Sequence, residues 1–532
     1  MMKKNIKYLA ILALGIIACE PEFDNPIDES GIYTNGTADF SKYVALGNSL
    51  TAGFADGALY ITGQENSYPN IVSKQFAFAG GGEFTQPLMA DNVGGFIGDA
   101  TIQAAFPPRL VLVFDDKGKP VGPAPYTGDT SKTDFTANLG ASFGNMGVPG
   151  AKSYHLLAPG YGNVAGVAAG LANPYFARIA SSPTATMIGD AVAQNPTFFS
   201  LWIGNNDILS YATSGGIGKD HNETGNMDPS TYGSNDITNV TTFAGIYNQL
   251  LGALTKNQAK GVVLSIPSVT SVPFFTTVPY AALSPLNPDF AKQIPELNAT
   301  YAGLNLAFKA IGVPERAIQF STTSASPVVI KDESLEDKTA QLKAALTPAF
   351  GVTKATLFAM QYGQARQATA EDLLVLTSSR IIGKVNTDRL AELVVAGLSK
   401  EEAAKLSVNG VSFPLEDQHV LIPAEQTAIE NARTGFNATI KNLATAKGLA
   451  YYDAAADLAQ AANGGIPIDG GVVTSEFVTG GGFSLDGVHP SPRGHALMAN
   501  GVLKAIKATY ESNLPTVNPA DYGTVTISND IN

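Results

Sequence analysis

Three residues whose types suit nucleophilic catalysis lie far apart in this sequence. Ser49 stands in the block GNSLT at 47–51, directly after an apolar run, and Asp486 and His489 belong to the block DGVHP at 486–490. At this spacing, a carboxylate can hold one imidazole nitrogen and leave the other free, which is the acid–base half of a serine triad. The pattern predicts Ser49 as a nucleophile, His489 as its base and Asp486 as the group that orients the base.

Two further blocks carry groups that can donate a hydrogen bond to a developing oxyanion. The block NMGVPG at 145–150 ends in Gly150, which can present a bare backbone N–H, and the block IGNND at 203–207 contains the side-chain amide of Asn206. The backbone N–H of Ser49, near the start of a helix, is a third donor. Each block alone is also typical of an ordinary turn or helix cap. The prediction therefore depends on the four blocks together.

The elements that must position these blocks are short apolar runs separated by helical patterns. Near-continuous apolar runs are typical of strands buried on both faces of a parallel sheet. Helical patterns precede the third and fourth runs, and this alternation predicts an α/β fold. In such folds, ligands bind at the carboxyl edge of the sheet. The predicted strands are 43–46, 198–203, 262–266 and 449–452, with a weaker candidate at 141–143.

In this chain order, the four blocks resemble those of the SGNH/GDSL hydrolase superfamily, of the lipase and esterase type. Ser49 matches the nucleophile of the family, Gly150 and Asn206 match its oxyanion donors, and Asp486 with His489 matches its acid–base pair. One departure is the asparagine that precedes Ser49, where the family has aspartate. The resemblance covers a core of residues 41–280 and 420–512.

The resemblance implies a three-layer α/β/α sandwich with a parallel, flavodoxin-like sheet. It also implies hydrolysis of a carboxylic ester through an acyl-enzyme, with no metal and no cofactor. The substrate is expected to be a small-molecule or lipid ester. Two alternatives stay open: an esterase acting on acetylated glycans, and a non-catalytic surface lipoprotein that binds a glycan or a host protein.

Two segments are too long to be ordinary connections within such a core. Residues 54–135 are rich in glycine, and residues 281–419 carry helical patterns of their own. The second segment is predicted to be a large, mainly helical insertion. It has two interpretations, an extra helical layer or a cap over the Ser49 site that selects the substrate. Residues 513–532 are predicted to form a polar C-terminal tail.

The N-terminus has the pattern of a bacterial export signal. Residues 1–18 combine lysines with an apolar run too short to span a bilayer comfortably, and the run ends at Cys19. The sequence IIAC at 16–19 resembles a lipobox, so Cys19 is predicted to be lipidated and residues 19–40 to form a tether. The alternative is an ordinary secretory signal with a free cysteine. Acidic residues follow Cys19, as in surface-exported Bacteroidetes lipoproteins, which predicts an outer-membrane lipoprotein in the cell envelope of a Gram-negative bacterium.

Composition excludes several other classes of protein. The chain has 532 residues, of which 45% are hydrophobic and 15% charged, so it is not a disordered chain. A single cysteine excludes intramolecular disulfides and multi-thiolate metal sites. The net charge of −13, which becomes −16 without the three lysines of the signal, argues against nucleic-acid partners and against a basic membrane-binding surface. Membrane attachment is expected through the lipid alone. The remaining histidines lack metal-ligand spacing and are expected to be structural or exposed: His155, His221, His419 and His495.

Overall fold

The computed structural model describes residues 32–140 and 142–526. Cys19 and the export signal lie outside the described residues, so the lipid anchor stays a prediction. Within the described part of the chain, none of the helices combines the length and the apolar character that crossing a bilayer requires.

The centre of the molecule is a sheet of five strands that all run parallel. The strands are β1 Tyr43–Gly47, β2 Asn145–Gly147, β3 Phe198–Trp202, β4 Lys260–Leu264 and β5 Ala450–Tyr452. Their order in the sheet is β2-β1-β3-β4-β5, so the direction of winding reverses between β1 and β3. The register places Tyr43 opposite Phe198 and Gly47 opposite Trp202. The four stronger apolar runs are confirmed as strands.

The weaker strand candidate at 141–143 was wrong where it can be checked, because residues 142 and 143 are not in a strand and residue 141 lies outside the described residues. The second strand is Asn145–Gly147, inside the block assigned to oxyanion binding. It is an edge strand paired only with β1, through Ala45 opposite Asn145 and Gly47 opposite Gly147. A Cβ on Gly147 would lie 2.2 Å from the backbone nitrogen of Ala52. Because close backbone approach rather than apolar content selects this strand, a search for hydrophobic runs misses it.

Side chains of the central strands alternate between two hydrophobic clusters, one on each face of the sheet. On one face, Val44 and Phe199 pack with the helices Met187–Ala193, Val240–Leu254 and Pro423–Lys447. On the other face, buried strand residues pack with the helices Tyr68–Phe76 and Pro492–Tyr510. Helices thus cover both faces, an arrangement compatible with a three-layer sandwich. The second-face strand residues are Tyr43, Ala45, Phe198, Trp202, Val262 and Leu264.

The two helices that the periodicity predicts have clear start and stop signals. The Asn239 side chain accepts hydrogen bonds from the N–H groups of Thr241 and Thr242 at the start of Val240–Leu254. The helix Pro423–Lys447 ends at Gly448, which has a left-handed φ of 62°. Both are standard caps for the unpaired backbone groups at helix ends.

A separate hydrophobic cluster forms from residues between Val278 and Ile422. Its longest helical segments are Pro288–Ala310 and Thr339–Tyr362, and the second is interrupted by a kink at Gly351, which has a φ of 72°. Small antiparallel pairs accompany it, Val329–Lys331 with Ala365–Gln367 and Leu373–Leu374 with Val420–Leu421. This segment therefore buries its own apolar side chains against one another.

The remaining elements are short. The other antiparallel pairs are Leu110–Phe114 with Pro120–Pro125 and Ile466–Ile468 with Gly471–Val473. The other α-helices are Ser49–Ala52, Ile61–Glu65, Ala100–Ala105, Val164–Val167, Pro174–Ala177, Asn206–Thr213, His221–Thr224, Pro273–Thr276, Thr387–Val395, Lys400–Lys405 and Ala454–Ala462.

Both ends of the described chain pack on the sheet domain. Within the segment predicted as a tether, Phe40 stacks on Phe76 with ring centroids 4.0 Å apart, and Thr37 donates a backbone hydrogen bond to Tyr510. Within the segment predicted as a tail, the backbone N–H of Val517 donates to the Asn500 side chain. Residues 34–40 and 513–522 are therefore part of the folded unit.

Candidate active site

The structure brings the three residues of the predicted triad together. Ser49 Oγ lies 2.9 Å from His489 Nε2, and His489 Nδ1 lies 2.9 Å from Asp486 Oδ2. The first contact joins residues 440 positions apart in the chain, and the second joins residues three apart. The order serine, imidazole, carboxylate is the arrangement in which a base can take the serine proton while the carboxylate holds the ring.

A tight turn after β1 places Ser49 at the carboxyl edge of the sheet. A Cβ on Gly47 would lie 2.4 Å from the Trp202 carbonyl oxygen, so only glycine fits where β1 passes β3. The Asn48 side chain accepts a hydrogen bond from the N–H of Leu50 and caps the helix Ser49–Ala52. Its amide also donates to Asn205 Oδ1 at 3.2 Å. An aspartate at position 48 would lack that donor, so asparagine ties the two strand-end loops together.

Asp486 is held as a carboxylate by the turn that contains His489. Its Oδ1 accepts the backbone N–H groups of Val488 and His489, both at 2.8 Å, and its Oδ2 accepts the N–H of Gly57 at 2.9 Å. Burial alone would raise the pKa of this carboxyl. The His489 ring and the backbone donors outweigh burial and lower the pKa of Asp486 to about 2. Asp486 is therefore ionised at neutral pH.

A second buried carboxylate, Asp56, fixes the turn that carries Asp486. Its Oδ1 accepts the N–H of Leu485 at 2.9 Å, and its own N–H donates to Ser484 Oγ at 2.9 Å. Its Oδ2 accepts from Arg109 at 2.7 Å and from Tyr60 at 2.8 Å. Burial raises the pKa of Asp56 despite these partners. The long segment after the nucleophile thus supplies a brace for the acid–base turn.

We expect replacement of Arg109 by leucine to lower the free energy of unfolding by about 3–5 kcal/mol, because removing one partner leaves a buried charge uncompensated. The side chains of Arg109 and Asp56 are only 4% and 5% exposed. Urea unfolding measures this change. Lys354→Met is the control, since the Lys354–Glu402 pair is about half exposed and its loss should cost less than about 1 kcal/mol. Equal losses in the free energy of unfolding for the two variants would contradict this role of the Arg109–Asp56 pair.

The three predicted oxyanion donors follow three neighbouring strands of the sheet, Ser49 after β1, Gly150 after β2 and Asn206 after β3. Within the described residues, the backbone N–H groups of Ser49 and Gly150 donate no hydrogen bond, and Gly150 has a left-handed φ of 81°. The Asn206 side chain donates one of its amide hydrogens to the Ala151 carbonyl at 2.9 Å. That bond links the Asn206 helix to the Gly150 loop and leaves the second amide hydrogen for another acceptor.

Asp207, to which the sequence analysis gave no role, secures the Gly150 loop. Its carboxylate accepts from the Ser153 hydroxyl at 2.6 Å and from the Ser153 backbone N–H at 2.8 Å. Asp207 is fully buried, and burial raises its pKa above the usual range. The position of Asp207 in the sequence, directly after Asn206 at the end of a strand, could have indicated that it belongs to the site.

Two cavities flank the triad. The first, which we call the apolar cavity, has a volume of about 120 Å³. Its walls include both Ser49 and His489 with the apolar side chains Leu50, Trp202, Leu209, Val269, Val272, Leu458, Phe483, Leu497 and Met498. The second, which we call the tyrosine cleft, has a volume of about 970 Å³ and is lined by Phe54, Gly150, Tyr154, His155, Tyr161 and Tyr175 among others.

The other histidines take no part in the triad. His221 is paired with Asp236 at 2.8 Å, and His155 stacks on Tyr161 with ring centroids 4.3 Å apart. His495 lies inside the helix Pro492–Tyr510, where its Nδ1 accepts the N–H of Tyr68. No group of histidine, cysteine, aspartate or glutamate in the described part of the chain has the geometry to hold a metal ion.

We expect His495 to make folding stability depend on pH between 7 and 5. Burial, with a smaller contribution from His489, lowers the pKa of His495 to about 3. In the unfolded chain, a histidine binds a proton near pH 6.5, so the stability is complete above that pH and falls as the pH drops. The loss from this residue between pH 7 and 5 is about 2 kcal/mol. Urea unfolding at pH 7 and at pH 5 measures the loss of unfolding free energy between the two pH values. This loss should be about 2 kcal/mol smaller in His495→Asn than in the wild type. An equal loss in both proteins would contradict the assignment.

Comparison of the chain with protein-family models, with curated proteins and with solved structures finds no match. Support for a function therefore comes from the geometry of the site.

Proposed function

We propose that the protein is a serine hydrolase of carboxylic esters and a member of the SGNH/GDSL superfamily. The observation that carries the proposal is the hydrogen-bonded chain from Ser49 through His489 to Asp486. Within the described residues the N–H groups of Ser49 and Gly150 donate to no protein group, which supports the proposal because acyl transfer needs donors for the oxyanion. A protein that only binds a ligand needs none of these groups in this order.

The mechanism follows from the geometry of these groups. His489 Nε2 takes the proton of Ser49 Oγ as the oxygen attacks the ester carbonyl, and His489 then gives the proton to the departing alcohol. Asp486 orients the ring and stabilises its charged form. The N–H groups of Ser49 and Gly150 and the amide of Asn206 bind the oxyanion. Water, activated by the same histidine, then hydrolyses the acyl-enzyme.

The strand order and the residues that line the two cavities bear on the type of fold. The observed strand order, counted along the chain, is 2-1-3-4-5, which is the order of flavodoxin-like sheets. We propose a three-layer sandwich of this type with residues 281–419 as a mainly helical insertion. No described residue of that segment lines the apolar cavity or the tyrosine cleft. This favours the interpretation as an extra helical layer over that of a cap.

The test of the function is an ester assay on the purified full-length chain with 4-nitrophenyl esters of graded acyl length. The proposal expects release of 4-nitrophenol by the wild type and its loss in Ser49→Ala. Equal turnover by both proteins, or none by the wild type, would contradict it.

The apolar cavity leads us to expect a preference for short acyl chains. An apolar protein cavity of about 150 Å³ admits a six-carbon ring, so one of about 120 Å³ suits an acyl group of about four to six carbons. We expect kcat/KM to be highest for butanoate or hexanoate and at least about tenfold lower for palmitate. In Leu458→Ala, which enlarges the cavity, the optimum should move to longer chains. Leu297→Ala, in the separate cluster between Val278 and Ile422, is the control, and a palmitate optimum in the wild type would contradict the assignment.

We propose that Cys19 carries the lipid that attaches the enzyme to the outer membrane. The single cysteine of the chain and its position after the apolar run support this. Labelled palmitate should enter the wild type and not Cys19→Ala. Equal label in both would contradict it.

A further inference from the structure

Two successive residues with left-handed backbone contact the turn that carries the acid–base pair. Asp56 has a φ of 53° and Gly57 a φ of 76°. In this conformation, the Asp56 N–H donates to Ser484 Oγ and the Gly57 N–H donates to Asp486 Oδ2, each at 2.9 Å. The left-handed region suits glycine but is uncommon for other residues. Because strained residues persist only where their surroundings fix them and cluster at active sites, the backbone of Asp56 points to a role in the site beside it.

The Asp56 side chain accepts hydrogen bonds at both of its oxygens. Oδ1 accepts from the backbone of Leu485, and Oδ2 accepts from Arg109 and Tyr60. The Arg109 guanidinium also lies over the Tyr60 ring, 3.7 Å from its centroid, which restricts its position further. An asparagine at position 56 would turn its amide nitrogen toward one of these donors and lose a hydrogen bond. A carboxyl group is therefore needed to accept on both sides.

Residues 522–526, within the segment predicted as a polar tail, hold the arginine from the other side. Arg109 Nη2 donates to the Thr526 hydroxyl as well as to Asp56. The Thr526 carbonyl accepts the backbone N–H of Leu112 at 3.1 Å. The side chain and the backbone of Thr526 are thus both bonded to the segment that carries Arg109.

The same segment is bonded to the helix that follows the catalytic histidine. The carbonyl of Gly523 accepts the backbone N–H of Arg493 at 3.0 Å, and the carbonyl of Tyr522 accepts from Arg493 Nε at 3.2 Å. Arg493 lies at the start of the helix Pro492–Tyr510, shortly after His489. The hydrogen bonds therefore form a closed set that runs from the acid–base turn through Asp56, Arg109 and residues 522–526 back to the helix after His489.

We propose that Asp56 is a positioning residue of the hydrolysis and that Arg109 and Thr526 hold its carboxyl group in place. Asp56 lines neither cavity, so it acts through the acid–base turn and not by contact with the ester. The Ser484 N–H donates to the His489 carbonyl at 2.8 Å, and a shift of Ser484 therefore displaces the base. Proton transfer from Ser49 then slows, while the walls that bind the ester are unchanged. This inference rests on the proposed ester hydrolysis.

The first test measures kcat and KM of full-length Asp56→Asn on 4-nitrophenyl butanoate. We expect kcat to fall about 10- to 100-fold, since a displacement of about 1 Å can have an effect of this size, and KM to change less than about twofold. Asp332→Asn is the matched control, because Asp332 is also 3% exposed and paired with an arginine, Arg366, but belongs to the segment between Val278 and Ile422. Its kcat should equal that of the wild type. An unchanged kcat in Asp56→Asn, or equal losses in both variants, would overturn the inference.

The double variant Asp56→Asn/Asp486→Asn distinguishes positioning from a general structural role. If Asp56 acts through Asp486 and His489, kcat of the double variant should lie within about twofold of that of Asp486→Asn, because the two substitutions then remove the same function. Losses that multiply would overturn the inference.

Thr526 gives a test that does not disturb a buried carboxyl group. Thr526→Val should lower kcat about two- to fivefold, since it removes one acceptor of Arg109, and Thr526→Ser should keep the wild-type value. If Asp56→Asn does not fold, as judged by circular dichroism, this pair carries the test. Equal kcat in the valine and serine variants would contradict the role of Thr526.

A spectroscopic measurement separates this inference from the proposed function. The proton between His489 Nδ1 and Asp486 Oδ2 gives a low-field NMR signal that needs no turnover. We expect the signal in the wild type and in Asp332→Asn, and its loss or broadening in Asp56→Asn. If the wild type hydrolyses no ester, the esterase proposal fails and this signal alone decides. An equal signal in Asp56→Asn and the wild type, or none in either, would then overturn the positioning role.

Discussion

Replacing Ser49 with alanine should lower kcat for ester hydrolysis by about six orders of magnitude, since loss of the nucleophile in a serine hydrolase has an effect of this size. Alanine has no oxygen at the position that lies 2.9 Å from His489 Nε2, so no acyl-enzyme forms. The small residual rate comes from the oxyanion donors and substrate binding, which the substitution leaves in place. Stopped-assay product release under saturating 4-nitrophenyl ester measures the change.

Ser379→Ala is the control for that experiment. Ser379 is an exposed serine whose hydroxyl donates to the Leu376 carbonyl, far from Ser49 in the chain. Its removal should leave kcat unchanged. A loss of less than about tenfold in Ser49→Ala would mean that a different group attacks the ester.

Replacing Asp486 with asparagine should lower kcat by about four orders of magnitude, as found when an amide replaces the triad carboxylate in a serine protease. An amide nitrogen facing His489 Nδ1 would favour the wrong tautomer, and the ring would then hold its proton on the side that must accept one from Ser49. The Asp486 carboxylate also accepts three backbone N–H groups, so circular dichroism should verify that the variant is folded.

Asp469→Asn is the matched control, since Asp469 is exposed in the turn between the strands Ile466–Ile468 and Gly471–Val473 and lines neither cavity. Its kcat should equal that of the wild type. If folded Asp486→Asn kept most of its activity, Asp486 would have no part in orienting the base.

The residues of the triad could be predicted from the sequence because local chemistry dictates them. The carboxylate and imidazole of Asp486 and His489 are three residues apart, and one turn brings them together. Ser49 follows a strand that is apolar throughout, so its place at the sheet edge follows from the run before it. The sequence contains no comparable signal that Ser49 and His489, which are far apart in the chain, lie close together in space. Their proximity comes only from the folded sheet and the helix Pro492–Tyr510.

What the sequence did not reveal depends on contacts between distant segments. Asp56 and Arg109 form a pair buried under the Asp486 turn, yet each lies in a glycine-rich stretch with no periodic pattern. The strand Asn145–Gly147 is selected by close backbone packing and not by apolar side chains. The tyrosines of the cleft come from separate parts of the chain, Tyr154 from a 3-10 helix and Tyr175 from the helix Pro174–Ala177, and their shared surface exists only in the folded chain.

Covalent labelling of the native full-length protein with a fluorophosphonate ester probe, followed by peptide mass spectrometry, shows whether Ser49 is an activated nucleophile. The probe reacts with a serine hydroxyl only where a neighbouring base activates it. We expect a single adduct on the peptide that contains Ser49, lost in Ser49→Ala and strongly reduced in His489→Ala. An adduct on another serine, or labelling of Ser49→Ala equal to that of the wild type, would contradict the account.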